Sequence, residues 1–510
     1  MTAADPLTRE NRAGEIRFEK YKTAVFLLLL TAGALLVHGY HPFAEDAEIY
    51  LPGMERILHP GLFPARHEFF ASHASLTLFP NLIAFSLRVT HLPLEWGLLL
   101  WHVASIFLLL LACWELNGHC FSSPQARWAG VCLVAALLTI PVAGTALYLV
   151  DQYLNPRNLA AFAAMFAVTR TLEKRYVWAG VWLALAASMH PLMPAFALSF
   201  CALLAVMGEI DGRSRGAMGT LRMAGGLRCL LPFGISLDPL ASPAYHEAAM
   251  RHRYFYIQNW QWYEWLGILA PVVLLWWFAR VARARQWKEV NRLCRALILY
   301  DLIYLAAALV VDLPARFEAL ARLQPLRSLH LLYMLMFLVM GGFLGEYVLK
   351  NRVWRWLALF LPLAGGMFFA QRVLFPASAH IEWPWKAPEN DWAKAFLWIR
   401  GNTPVDAVFA LDPLYMQLPG EDAAGFRSLA QRSRLADTVK DGGAVSMFPP
   451  LAEQWWAQVQ AQTPWKEFRA EDFARLKSKY GVSWVVVQQP GVAGIECAYQ
   501  NAAVRVCQVR

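Results

Sequence analysis

Long runs of apolar residues leave this chain few choices of fold. TAVFLLLLTAGALLV (23–37), LLLWHVASIFLLLLACW (98–114), VCLVAALLTIPVAGTALYLV (131–150), LHLLYMLMFLVMGGFLGEYVL (329–349) and LALFLPLAGGMFF (357–369) recur between short basic stretches. Helices of about this length cross roughly 30 Å of hydrocarbon. A spanning backbone must satisfy its own hydrogen bonds, and none of the runs alternates as a barrel strand would, so they read as helices. Composition agrees: only 16% of the 510 residues are charged and 58% are hydrophobic, where a soluble chain carries about a quarter charged residues.

The basic residues orient the helices. A polar leader (1–21) with Arg9, Arg12, Arg17 and Lys20 precedes the first run, and Lys22 opens it. That places the N-terminus in the cytoplasm, and no small-x-small site follows that would mark a cleaved signal. Further basic groups occur at Arg170, Lys174 and Arg175; at Arg213, Arg215, Arg222 and Arg228; from Arg280 to Arg295; and at Lys350, Arg352 and Arg355. All are cytoplasmic if crossings fall near 22–40, 94–115, 128–149, 158–172, 176–189, 191–208, 217–235, 262–280, 294–311, 329–348 and 354–374, about eleven helices. SLTLFPNLIAFSL (75–87) is short and broken by Pro80, and reads as a helix on the outer surface within an external loop, 41–93. The net charge of +9 thereby has a use in orientation and calls for no nucleic acid.

After residue 375 the composition becomes that of a soluble domain. NDWAKAFLWIRGN reads as a helix closed by Gly401, DAVFALDP and VSWVVVQQ as buried strands, EDFARLKSKYG as a helix, and IECAYQNAAVRVCQV as a hairpin. The expected fold is therefore an all-α polytopic membrane domain, 22–375, carrying a small extracytoplasmic α/β domain, 376–510. Most of the eight cysteines read as small core residues. Cys497 and Cys507 would face each other across the hairpin, which permits a disulfide in an oxidising compartment. No CxxC, HExxH or spaced His/Cys set points to a structural zinc site.

With this orientation the unusual polar residues gather on one side. Glu45, Asp46, Glu48 and Tyr50 follow the first crossing. Asp151, Gln152, Asn155 and Arg157 in LVDQYLNPRNLAAF lie at the next outer junction, His190 at a tight turn in ASMHPLMPAF, and Arg316, Arg322, Gln324 and Arg327 before the tenth crossing. The loop YHEAAMRHRYFYIQNWQWYEW is rich in aromatic and basic residues. Each has a plain reading: a loop acid, a guanidinium meeting lipid phosphate, a histidine tethering a turn, an interfacial aromatic belt. Ionisable groups at membrane depth nevertheless cost a few kcal/mol each and tend to pair or to do work, so the constellation points to a site.

This pattern resembles the GT-C superfamily of polytopic glycosyltransferases. Asp46 in AEDAEIY matches that family's first-loop acid, with Glu45 or Glu48 as fallback, SLTLFPNLIAFSL resembles its juxtamembrane helix, and Asp151 sits where a second-loop acid is expected. The pieces IYLPGMERILHPGLFP, NPRNLAAF, HPLM, TPVDAVFALDP and FRSLAQRSRLAD also resemble a group of bacterial membrane proteins named for a C-terminal domain of unknown function. The resemblance implies a polyprenyl-phosphate sugar donor, a glycan, lipid or protein acceptor, and residence in the bacterial inner membrane with the C-terminal domain periplasmic. No D-x-D occurs in either loop, so Mg or Mn stays an open question. On this reading Asp46 is the base, Asp151 its partner or an acceptor ligand, and His190 an orienting group. Arg157 and Arg327 clamp phosphate, and Glu45, Glu48, Tyr50, Gln152 and Gln324 contribute to substrate binding. The alternatives are a transporter or flippase of an anionic envelope precursor, and a scaffold presenting the outer domain.

Overall fold

The computed structural model describes residues 6–212, 242–312, 320 and 322–510. The helical part runs α1 (Pro6–His38), α2 (Ala47–Leu58), α3 (Glu68–Ala74), α4 (Phe79–Thr90), α5 (Leu94–Cys120), α6 (Pro124–Ala136) and α7 (Pro156–Leu172). It continues through α8 (Tyr176–Met189), α9 (Met193–Gly212), α10 (Pro243–Met250), α11 (Trp262–Ala284), α12 (Lys288–Asp312), α13 (Leu329–Leu344) and α14 (Val353–Leu374). Seven helices among the described residues are long and apolar enough to cross a bilayer, which makes the chain a multi-pass membrane protein. On α14 the exposed side chains are apolar, Val353, Leu361, Phe369 and Val373 among them, as expected of a helix whose solvent is lipid. At the other extreme α7 is buried on every face from Pro156 to Thr169 and packs against α5, α8 and α9 at the centre of the bundle.

Several expected crossings differ. The run at 128–149 is helical only as far as Ala136. Beyond it the chain folds into a compact irregular segment, where Pro141 bridges Tyr148 and the amides of Val142 and Val150 donate to Leu147 and Leu138. That segment is apolar because protein surrounds it, with Leu138, Val142, Leu147 and Leu149 in the main core, and hydropathy alone does not separate the two environments. The expected crossings at 158–172 and 176–189 are helices of 17 and 14 residues. That at 217–235 lies outside the described residues, as does Arg316. The 75–87 stretch contributes α4, bent by 85° from α3; its 12 residues make only about 18 Å of helix.

The C-terminal part contains α15 (Asp391–Asn402), β1 (Val408–Ala410), α16 (Phe426–Ala430), β2 (Ser433–Arg434), α17 (Lys440–Met447), α18 (Ala452–Ala461), α19 (Ala470–Tyr480), β3 (Trp484–Gln488), β4 (Glu496–Gln500) and β5 (Val504–Gln508). Gly401 does not close α15, which runs one residue further and ends against Thr403. The sheet order is β2-β1-β3-β5-β4, parallel from β2 to β3 and antiparallel beyond. Cys497 pairs with Cys507 in register, and the two form a disulfide.

The segment after α1 is not a loose loop. Tyr40 pairs with Ile381 and Ala44 with Ala424 as isolated bridges, so the C-terminal part grips the backbone on both sides of residue 42. Gly39 makes the approach possible. Its φ is +78°, and a Cβ there would meet the His380 carbonyl oxygen at 2.6 Å, so no other residue fits without backbone movement.

Candidate active site

Three helix starts and one irregular segment converge where the bundle meets the C-terminal domain. Asp46 is the residue before α2. Asn155 caps α7, its side chain accepting from the Arg157 amide at 2.9 Å, with Pro156 at the first helical position, where its missing N–H costs nothing. Lys440 opens α17. Asp151 lies in the irregular segment before α7. Asp46, Asp151, Arg157 and Lys440 line a cavity of about 930 Å³ together with Glu45, Tyr50, His190, Gln324 and Arg327.

One nitrogen of Arg157, Nη2, donates to Asp46 Oδ2 at 3.1 Å and to Asp151 Oδ2 at 3.0 Å. On the other side of Asp46, Lys440 Nζ donates to Oδ1 at 2.8 Å and to Glu45 Oε2 at 2.5 Å. Asp46 is thus held between a guanidinium from the bundle and an ammonium from the C-terminal domain. Burial works to raise its pKa, but Lys440 and Arg157 outweigh burial and hold it well below the usual carboxylate range. Asp151 is more deeply buried, and burial raises its pKa against the opposing pull of Arg157. For Lys440 burial favours the neutral form, but Asp46 and Glu45 win and keep it charged.

Arg327 differs from Arg157. Among the described residues it makes no ion pair; its Nε has no hydrogen-bond partner, and its guanidinium lies 5.1 Å from the centre of the Tyr254 ring. A fixed cation with an aromatic neighbour and no carboxylate is equipped to receive an anion. Arg157 is already shared by two carboxylates through one nitrogen, Nη2, so of the two expected clamps it is the one engaged within the protein. Tyr254 and His252 come from the aromatic loop before α11 and line the same cavity, so that loop reaches the site.

The remaining expected residues divide. His190 lines the cavity, yet its Nδ1 accepts from the Leu192 and Met193 amides at 3.1 and 3.3 Å. It therefore fastens the turn into α9 and makes no hydrogen bond to the charged cluster; burial, reinforced by Arg157 and Arg327, keeps it neutral. Tyr50 packs edge-on against His73 and Phe79 on the cavity wall. Gln152 donates to Gln371, whose own amide donates to Thr139 Oγ1 at 3.0 Å, tying the wall to α14. Gln324 lies at the rim in a left-handed conformation, φ 48°.

Glu48 lies outside the cavity. It is fully buried and accepts from the Arg427 amide at 2.7 Å and from Arg434 Nε at 2.9 Å. Arg427 in turn grips Asp441 with two parallel bonds of 2.9 and 2.8 Å, and Arg434 pairs with Asp437. Asp437 also accepts from the Lys440 amide at 2.6 Å. These five charges lock α2 to α17 and so fix the two backbones that present Asp46 and Lys440. The sequence reading missed Lys440 and this network. The only local signal was the density of arginine and aspartate in FRSLAQRSRLADTVKD, within an otherwise ordinary soluble stretch.

No protein-family model matches the chain, and no curated protein matches it. Among solved structures it is similar to the archaeal oligosaccharyltransferase AglB from Archaeoglobus fulgidus in complex with an inhibitory peptide and a dolichol-phosphate. That match has a TM-score of 0.47 and 12% identity, covering 92% of this chain and 70% of that one. The apo form of the Archaeoglobus fulgidus enzyme matches with a TM-score of 0.46 and 12% identity over 92% of this chain and 69% of that one.

Proposed function

We propose that the chain is a membrane glycosyltransferase that moves a sugar from a polyprenyl-phosphate-linked donor to a glycan, lipid or protein acceptor. It would work on the extracytoplasmic side of a bacterial inner membrane. The observation that carries this reading is the joint placement of Asp46, Asp151 and Arg327, which makes no ion pair among the described residues, around one cavity. The apolar end of α14 (Val373, Leu374) lines that cavity too, and its exposed side chains offer a lipid-borne donor a route in from the bilayer.

In the reaction the acceptor oxygen bonds to the anomeric carbon as the bond from that carbon to the donor phosphate oxygen breaks. The acceptor proton passes to Asp46, within hydrogen-bond reach of a hydroxyl in the cavity. The bonding pair leaves on the phosphate oxygen, where Arg327 stabilises it. Asp151, kept in place by Arg157, aligns the acceptor hydroxyl. The carboxylates that a divalent ion would use are engaged by the chain's own cations. The Lys440 ammonium already occupies the space between Glu45 and Asp46, and Arg157 that between Asp46 and Asp151, so no step is assigned to a metal.

Purified full-length chain, incubated with membrane lipid extract as donor source, is expected to retain a phosphate-bearing polyprenol detectable by mass spectrometry. It should also release the free polyprenyl phosphate as sugar is transferred. Retention of only bulk phospholipid, with no polyprenyl species enriched over an unrelated membrane protein, removes this reading.

A further inference from the structure

We propose that Lys440 is an exchangeable counter-ion, which closes Glu45 and Asp46 in the empty cavity and passes to the donor phosphate when the donor binds. The inference rests on the polyprenyl-phosphate reading above and adds how its base is released.

Three observations carry it. First, the two cations on Asp46 are held differently. Arg157 is committed through a single nitrogen to Asp46 and Asp151. Lys440 is a compact charge on a flexible stem, and among the described residues its ammonium pairs only with the carboxylates of Glu45 and Asp46. Second, the stem is anchored while the head is free to turn. The Lys440 amide is fixed by Asp437, and α17 by the buried pairs of Arg427 and Arg434; the side chain itself reaches the cavity. Third, Lys440 and Arg327 line the same cavity, together with Tyr254 and His252.

The charge count gives the exchange a direction. The cavity wall carries the carboxylates of Glu45, Asp46, Asp151 and Asp422 against the cations of Arg157, Arg251, Arg327 and Lys440, of which Arg251 pairs with Glu247. A phosphate entering beside Arg327 adds negative charge, and Lys440 is the cation able to move toward it. Once it has moved, Asp46 has lost one of the two cations that hold its pKa down. Asp46 then gains proton affinity as the acceptor hydroxyl must be deprotonated. No bond is made or broken in the exchange; two charge-assisted hydrogen bonds to carboxylates are replaced by bonds to phosphate oxygens.

A double-mutant cycle on polyprenyl phosphate binding tests this without requiring transfer. The full chain in detergent micelles is titrated as wild type, Lys440→Met, Asp46→Asn and the double variant, with Lys440→Gln as a second neutral replacement. The expected result is weaker binding in Lys440→Met and Lys440→Gln, by roughly tenfold, the scale of a partly desolvated charge pair. Binding should tighten in Asp46→Asn, because the ammonium is freed, and that gain should vanish when Lys440 is also replaced. Additive effects, or unchanged binding in both Lys440 variants, overturn the exchange. Coupling in binding without any sugar transfer leaves the exchange standing and removes the glycosyltransferase reading.

Discussion

Two clusters of charge lie side by side where the bundle meets the C-terminal domain, and they draw on neighbouring residues of the same helices. Asp46 and Glu48 stand two positions apart at the start of α2, and Lys440 lies between Asp437 and Asp441. Yet the cluster around Glu48, Arg427, Arg434, Asp437 and Asp441 is sealed: none of its side chains is more than 2% exposed. The cluster around Asp46 opens on a large cavity, where the Asp46 side chain is 23% exposed and Arg327 lacks a carboxylate. Residue type does not distinguish them. Saturation does: a carboxylate whose partners are complete and dry holds helices together, whereas one facing a cavity beside an unsatisfied cation can take part in chemistry.

The comparison is broken most directly at Asp46. Asp46→Asn keeps the side chain's shape and removes its proton acceptor, so sugar transfer is expected to fall by about 10² to 10⁴-fold, with a smaller drop in unfolding temperature than Glu48→Gln produces, since two ion pairs to a partly exposed carboxylate are lost. Wild-type rates in this variant, measured with saturating donor, would show that the open cluster is structural too.

Glu48→Gln is the matched change in the sealed cluster. It leaves Arg427 and Arg434 facing a neutral amide in a site without water, which costs about 3–5 kcal/mol when one partner of a buried pair is lost. A large drop in unfolding temperature should accompany any loss of activity, read by scanning fluorimetry of the purified chain. A stable Glu48→Gln protein that is merely inactive would move Glu48 into the site and erase the distinction.

A smaller effect sharpens the contrast between Arg157 and Arg327. Arg327→Lys retains charge but loses the planar fork, so donor KM should rise about tenfold while the unfolding temperature stays put. The same change at Arg157 uncouples Asp46 from Asp151 and should lower kcat as well. Equal kinetic effects at the two positions would mean that neither is specialised.

Sidedness was the part of the site that sequence could carry. Basic loops fix which helix ends lie together, and Asp46, Asp151, Arg157, His190, Gln324 and Arg327 were brought to one end on that basis alone, the end where the structure builds the cavity. What each does there depended on partners far away along the chain. Glu48 meets Arg427 and Arg434, and Asp46 meets Lys440, across nearly four hundred residues. Nothing local in AEDAEIY separates a sealed carboxylate from an open one. The 131–150 run misled for a related reason, since hydropathy reports that a segment avoids water without reporting whether lipid or protein replaces it.

Glu55, two turns further along α2, is a third kind of buried carboxylate. It has neither an arginine partner nor the large cavity: Gln431 Nε2 donates to one oxygen at 2.7 Å and the other has no partner. Burial, opposed only in part by that hydrogen bond, pushes its pKa up to about 8 from an ordinary 4.5. Between those values the folded chain keeps Glu55 protonated while the unfolded chain has released the proton. Its contribution to stability is therefore complete below about pH 4.5 and is lost as pH rises to about 8, at a slope near 1.4 kcal/mol per unit. Glu55→Gln replaces the neutral acid with a neutral amide of the same shape, so it should leave stability almost unchanged at pH 5 and remove this slope above it. Unfolding temperatures of the two proteins compared at pH 5, 6, 7 and 8 decide the matter, and parallel curves would mean that Glu55 is ionised and paired after all. Loss of the slope in the variant separates three fates of a carboxylate on α2 (paired and sealed, paired and open, buried and neutral), set by the surroundings that the C-terminal domain supplies.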